Sequence, residues 1–386
     1  MAHFTLLAVI YMAFISLGLP DSVLGVAWPA MRTTFGQPLP AAGLITLILT
    51  ACSSLSSFAS GAVLRRWGIG PVVMVSGFLT GLALLGFALA PSFVWIMLLA
   101  VPLGLGAGSV DAGLNHFVAE HYSSRHMNWL HGCWGIGATI GPFIMGSALA
   151  GSAGWPAGYR TIGLVQLALA LLFLLTLRVW QHQHTKPQRA ADPLARRDRR
   201  SRPPASASWL APSLYLVYAM VEVGTGLWTA SILMDHRHMA ALTAGVWVSF
   251  FFGAIMVGRF ATGLVAARWG NRKLVRAGLM TAVVGAALFS VGGLPDMVSL
   301  AGLVLLGLGC APVYPSLMHE TTRRFDAYTA RKVVGRQVGF ACIGGAVGPA
   351  LLGLLGAYWG LDAVMPLVMA ALVVLLLMCR SLDRVT

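Results

Sequence analysis

Charge is scarce in this sequence. Of 386 residues only 10% are Asp, Glu, Lys or Arg, while 58% are apolar. Soluble domains carry about 25% charged residues, because a surface in water has to be wetted. A water-soluble globule is therefore excluded. Acids are the scarcer sign, 12 against 26 basic residues, giving a net charge of +14. The five cysteines (Cys52, Cys133, Cys310, Cys342, Cys379) stand singly in apolar stretches, with no CxxC or metal-ligand spacing. They read as small buried hydrophobes, against a disulfide scaffold or a metal site. No Walker A pattern is present, so ATP-driven transport is not implied. No Ser-His-Asp or zinc spacing stands out either, so neither an enzyme nor a cofactor is expected.

What is abundant is apolar length. A membrane-spanning helix takes about 20 mostly apolar residues. The runs fall at Phe4–Met31, Gly43–Leu64, Val72–Leu89, Phe93–Val118, Trp129–Ala150 and Thr161–Trp180. After a polar interval come Leu210–Met234, Leu242–Ala267, Leu274–Gly292, Val298–His319, Gly335–Tyr358 and Ala363–Cys379. The first run has no Lys or Arg before it and no convincing cleavage site, so it reads as a span and not a signal peptide. Turn signals punctuate the runs at Gln37-Pro38-Leu39-Pro40, Ala90-Pro91-Ser92 and Gly154-Trp155-Pro156. The interval is rich in Arg, Pro, Gln and Ala, includes Arg196, Arg197, Arg199, Arg200 and Arg202, and reads as a flexible linker. The expected organisation is a six-helix bundle over 1–180, a basic cytoplasmic linker over 181–208 and a second six-helix bundle over 209–386.

The location of the positive charge sets orientation. With the N-terminus inside, inner segments hold 22 Lys and Arg against three in outer loops (Arg32, Arg160, Arg237), and Arg259 lies within a span. Both termini and the linker are therefore expected in the cytoplasm. The high net charge is then topology, and no nucleic-acid partner is expected. The linker arginines have two readings, a solvated spacer or a contact with anionic lipid heads.

The chain also repeats itself. Gly61-Ala-Val-Leu-Arg65-Arg66-Trp67-Gly68 returns as Gly263-Leu-Val-Ala-Ala267-Arg268-Trp269-Gly270, 202 residues later. Gly104-Leu-Gly106-Ala-Gly108 returns as Gly307-Leu-Gly309-Cys-Ala311 at an offset of 203. Gly137-Ala-Thr-Ile-Gly141-Pro142 returns as Gly344-Gly-Ala-Val-Gly348-Pro349 at an offset of 207. Plain helix packing explains any one of these glycines. It does not explain their duplication in order, which indicates two related halves.

On these motifs the whole chain resembles the major facilitator superfamily. The Gly-x3-x-Arg-x-Gly loop resembles that superfamily's signature, though Arg65 and Ala267 stand where the signature has an acid. Gly18-Leu-Pro-Asp21-Ser-Val-Leu-Gly25-Val-Ala-Trp28-Pro29, and Asp111-Ala-Gly-Leu-Asn115 followed by Met127-Asn128-Trp129-Leu130-His131-Gly132, resemble the fucose–glucose–galactose:proton symporter branch. The resemblance implies an all-α membrane protein with twelve transmembrane helices in two pseudo-symmetric bundles. Spans 1, 4, 7 and 10 would line a central cavity, and an acid in span 1 and another in span 4 would carry protons. Asp21 and Asp111 are the best matches here.

The residues themselves point the same way. An acid deep in a span is expensive and defaults to a functional hypothesis. Asp21, Asp111 and Glu222 qualify as proton-coupling groups, with an interhelical hydrogen bond or salt bridge as the plainer alternative for each. Asp111 and Asn115 are four apart on one helix face, placing an amide beside an acid. Trp28, seven residues after Asp21, is a candidate platform for a sugar ring, or a packing residue. Tyr218, Glu222, Thr225 and Thr229 form a polar stripe at helical spacing that is expected to face the cavity, and Tyr314 is a further candidate contact. For gating the candidates are Arg66, Gly68, Arg268 and Gly270 in the duplicated loops, Asn128 and His131 at the start of span 5, and Arg259. The Arg259 side chain either pairs with a carboxylate such as Glu222 or snorkels to the surface.

The leading expectation is a monomer in a bacterial inner membrane that moves a sugar-like small solute together with protons by alternating access. Duplicated halves suit rocking about a central site better than a channel. A proton antiporter exporting drugs or hydrophobic metabolites is the alternative, since Gly137–Pro142 resembles an antiporter-linked motif. Its twin at Gly344–Pro349 is equally explained by symmetry. A transporter-like receptor that binds solute without moving it is a third class.

Overall fold

Within a bilayer every backbone N–H and C=O must be satisfied inside its own segment, which leaves the helix open to each apolar run. A computed structural model describes residues 2–122, 124–181, 204–291 and 294–386. Among these residues all regular structure is helical, and twelve helical stretches are long and apolar enough to cross a membrane. Most of the linker expected at 181–208 lies outside the described residues, as do the side chains of His116 and Asn128.

The helices run α1 (Ala2–Asp21), α2 (Val23–Thr34), α3 (Ala41–Trp67), α4 (Ile69–Ala88), α5 (Phe93–His121), α6 (Ser124–Ala150), α7 (Gly154–Leu175) and α8 (Leu177–Gln181). They continue with α9 (Ala207–Ser231), α10 (Ala241–Trp269), α11 (Asn271–Ser290), α12 (Asp296–Cys310), α13 (Val313–Arg324), α14 (Ala327–Trp359) and α15 (Val364–Val385). Two compact units result. Unit 1 is Met1–Gln188 with Gly226–Gly253, and unit 2 is Arg189–Thr225 with Ala254–Thr386.

Three spans depart from the regular helix expected of them. The first is α1 and α2, interrupted at Ser22 (φ −99°, ψ −4°) just after Asp21. Pro20 provides a local cause, because it has no N–H to give the ladder. The tenth is α12 and α13, parted at Ala311 and Pro312. The seventh ends in a π-helical turn, Ile232–His236. Such turns are rare and concentrate at functional positions.

Two boundaries correct the sequence reading. Gly154-Trp155-Pro156 is the first turn of α7 and not a loop, since Gly154 takes φ +61° and proline is tolerated in a first turn. Span 11 starts before Gly335, because Asp326 caps α14 by accepting from the Tyr328 and Thr329 amides, both at 3.1 Å.

The duplication is structural as well as sequential. Gly68 and Gly270 both take φ +79°, a left-handed conformation that favours glycine. Within unit 1, Gly137 and Gly141 lie against the carbonyls of Ile15 and Leu19 on α1, with no room for a Cβ. Within unit 2, Gly344 lies against Leu216 and Gly348 against Met220 on α9 in the same manner. Each glycine pair lets span 5 or span 11 ride on the backbone of the first helix of its own half.

Candidate functional site

Unit 1 carries its acids at the break in the first span and in the middle of α5. Asp21 ends α1 and is exposed, although Ser22 through Pro29 beyond it are all buried. Asp21 Oδ2 accepts a hydrogen bond from Trp134 Nε1 on α6 at 2.8 Å. The half-buried Asp111 is its charged neighbour. Asn115 Nδ2 donates to Asp111 Oδ1 at 2.9 Å and to the Asp111 carbonyl at 3.0 Å. The amide expected to meet a solute thus spends both donors on Asp111, leaving its carbonyl oxygen to accept. Among the described residues no ion pair reaches either acid. Arg32 at the end of α2 is engaged elsewhere, with Asp235 in the π turn at 2.9 Å.

Unit 2 handles its acids differently. Glu222 Oε1 accepts from Arg259 Nη2 at 2.8 Å, and both side chains are only 13% exposed. Tyr218 lies beside this pair and donates its hydroxyl to the Cys310 carbonyl at 3.0 Å. Tyr314, half-buried on α13, sets its ring edge-on to Tyr215 at 4.9 Å between centroids. Glu320 accepts from Arg272 at 3.0 Å and Asn271 at 3.3 Å. Asp383 receives Arg276 at 2.6 Å and Arg324 at 2.5 Å.

Several residues named from sequence sit otherwise than expected. Trp28 is fully buried, gives its indole N–H to the Leu39 carbonyl at 3.0 Å and packs against Phe93. Packed in this way, it has no open face for a sugar ring in this conformation. Tyr218 is 1% exposed and Thr225 and Thr229 are fully buried, so the stripe on α9 is packed in this conformation. His131 sets its ring edge-on to Phe14, 5.8 Å between centroids. Arg66 and Arg268 are exposed beside Gly68 and Gly270. His319, on α13, is in contact with Asn271 at 3.0 Å.

Trp134 is the site residue the sequence reading missed. A signal existed, since it stands three and seven residues before Gly137 and Gly141, on the face that packs on α1. The Arg32–Asp235 pair was also legible in part. Its separation of 203 residues matches the repeat offset, so these are equivalent positions in the two halves.

Twelve spans, a duplicated half and acids placed inside spans define a membrane transporter. The Major Facilitator Superfamily profile matches residues 10–349 and 213–385, and the chain belongs to that superfamily. It is similar to the cis,cis-muconate transport protein of Acinetobacter baylyi, at 22% identity over 90% of this chain and 86% of that one. It is similar to the glucose/mannose transporter of Bacillus subtilis, at 26% identity over 69% and 67% respectively. Its fold matches a bacterial homologue of the human lysosomal transporter Spinster with a TM-score of 0.79, at 13% identity, covering 100% of this chain and 97% of that one. The protein is accordingly a transporter of small solutes and not an enzyme.

Proposed function

We propose that this transporter takes up a neutral polar solute, a sugar or a polyol, together with protons by alternating access. One observation carries the reading: among the described residues, Asp21 and Asp111 of unit 1 are held by Trp134 and Asn115 and not by a cation. A proton then supplies the positive charge that no described side chain there supplies. A carboxylate cargo, such as the muconate named for one relative, calls for a mid-span cation to receive it. The candidate here, Arg259, already gives its guanidinium to Glu222. The glucose/mannose relative supports the sugar class, and the motifs around Asp21 and Asp111 support the fucose-permease branch. The glycine motif behind an antiport reading occurs in both halves and packs a helix both times, so it lends that reading no support of its own.

The remaining parts of the proposal are two six-helix bundles at 1–180 and 209–386 joined by the 181–208 linker, a monomeric state, and a bacterial inner membrane with both termini in the cytoplasm. The orientation rests on the 22-to-three division of basic residues.

Counterflow of labelled hexoses in proteoliposomes tests the solute class. Absence of saturable uptake, with or without a proton gradient, overturns it. Asp21→Asn and Asp111→Asn test the coupling. Each is expected to abolish proton-driven accumulation while leaving hexose exchange in place. Normal accumulation in both overturns the assignment.

A further inference from the structure

Asp21 does not end at its hydrogen bond. The indole that holds it continues into a closed circuit of contacts within unit 1. Trp134 is half-buried and sets its ring edge-on to Phe252 on α10, 6.3 Å between centroids and 78° between planes. Phe252, 7% exposed, fills the space that a side chain would take at Gly226 on α9. A Cβ on Gly226 would stand 2.7 Å from Phe252 Cζ. The Gly226 and Leu227 carbonyls in turn lie so close to Gly25 on α2 that a Cβ there would stand 2.6 Å from each. Gly25 is four residues past Asp21, across the break at Ser22. The circuit therefore leaves the first span at the acid and rejoins it beyond the break.

We propose that Trp134 is the positioning residue that links the charge on Asp21 to the crossing of α2 and α9. The proposal rests on reading Asp21 as the proton-coupling group. Indole N–H is a donor only. Its bond to an ionised carboxylate is charge-assisted, about twice as strong as a bond to a neutral acceptor. A proton on Asp21 removes that assistance and lets the indole turn. Phe252 bears on Trp134 on one side and on Gly226 of α9 on the other. Close-packed neighbours of this kind transmit displacement instead of absorbing it. The effect arrives where α9 meets α2 backbone to backbone.

Other groups face α1 from its neighbours. Asp111 on α5 is the charge set against Asp21. On α6, His131 meets Phe14, seven residues before the acid. On α7, Tyr159 is turned into Phe87 and Trp155. Trp134 is the group shown in ring contact with Phe252.

Hydrogen–deuterium exchange on the intact transporter in detergent, without solute, tests the link. The segment read is the α9 backbone around Gly226, at mildly acidic and mildly alkaline pH. Wild-type protein is expected to exchange faster in this segment when acidic, after correction for intrinsic rates. Asp21→Asn should lose the pH response. Trp134→Phe keeps a ring but removes the donor, and should lose the response with Asp21 intact. Phe252→Leu keeps the hydrogen bond but breaks the relay, and should lose it as well, which covers the case of one variant failing to fold. An Asp21→Asn protein that still responds overturns the reading of Asp21 itself. A flat Asp21→Asn beside a fully responsive Trp134→Phe or Phe252→Leu overturns the role of Trp134 alone. A wild-type segment indifferent to pH overturns the link outright.

Discussion

Asp21 and Asp111 of unit 1 are held differently from the acids that arginine clamps in unit 2. In unit 1, Asp21 and Asp111 are held by an indole and an amide, and their charge has no ion-pair partner among the described residues. In unit 2, Glu222, Glu320 and Asp383 are each clamped by arginine. Removing the charge of a carboxylate clamped by arginine strands the cation beside it. Removing the charge of a carboxylate held by neutral donors strands no cation. On the proposed reading, this difference is what suits Asp21 and Asp111 to a transport cycle.

The strongest way to break this contrast is to neutralise one acid in each unit and compare stability. Glu222→Gln leaves Arg259 buried and uncompensated, and should cost about 3–5 kcal/mol. Replacing both partners, as in Glu222→Gln with Arg259→Met, should recover most of the loss, because a buried pair exchanged for packed neutral groups is often nearly neutral. Asp21→Asn should leave the thermal midpoint close to wild type, since its side chain still accepts from Trp134 and no cation is abandoned. Thermal unfolding of the purified proteins in one detergent reads all three. Equal destabilisation by Glu222→Gln and Asp21→Asn would erase the distinction between the units.

A smaller effect is expected at Asp383 in unit 2. Asp383 joins α15 to α11 through Arg276 and to α13 through Arg324, whose side chain is 4% exposed. Asp383→Asn keeps the shape and removes the charge. Hydrogen bonds to charged groups contribute about 1.5–3 kcal/mol each, and Arg276, 45% exposed, can turn to water in compensation. The expected loss is therefore near the lower end of that range, read as a fall in the thermal midpoint. An unchanged midpoint would mean that Arg324 finds another acceptor and that this clamp is not fixed.

Much of this architecture was legible because lipid leaves few choices. A run of twenty apolar residues must be a helix, and a duplicated glycine motif must pack twice. Breaks within helices were not legible. Pro20 and Pro312 interrupt spans 1 and 10, but prolines also sit inside helices such as α6 and α14 without dividing them. Reading Trp28 onto the face of Asp21 assumed an unbroken helix, and Ser22 removed that assumption. Long-range partners were the hardest to see. Nothing in the local sequence of Asp383 announces Arg324, and Trp134 shows only as an aromatic at the right spacing from two glycines. The acids of unit 1 were legible because charge inside a span is rare enough to be its own signal.

The smallest test falls on an acid of unit 2 fixed by backbone instead of arginine. Asp326 caps α14 outside the apolar spans, accepting from Thr329 and from the Tyr328 amide. These hydrogen bonds, chiefly those from Thr329, hold its carboxyl below the ordinary value of 3.8. A depressed value in the folded state means that the cap's contribution is fully present above the ordinary carboxylate range and is lost as pH falls through the folded-state value. Asp326→Ala should cost about 1 kcal/mol at neutral pH. Asp326→Asn should cost much less, since asparagine caps about as well. The asparagine variant should also shed the acid-side part of the pH dependence, because its amide does not titrate there. Thermal midpoints of the three proteins, followed from neutral pH into the acid range, separate the cases. Wild type and Asp326→Asn should lie close together at neutral pH and differ in slope on the acid side, with wild type falling faster. Parallel curves would show that the carboxylate charge contributes nothing at this helix start, and that the cap works by hydrogen-bond geometry alone.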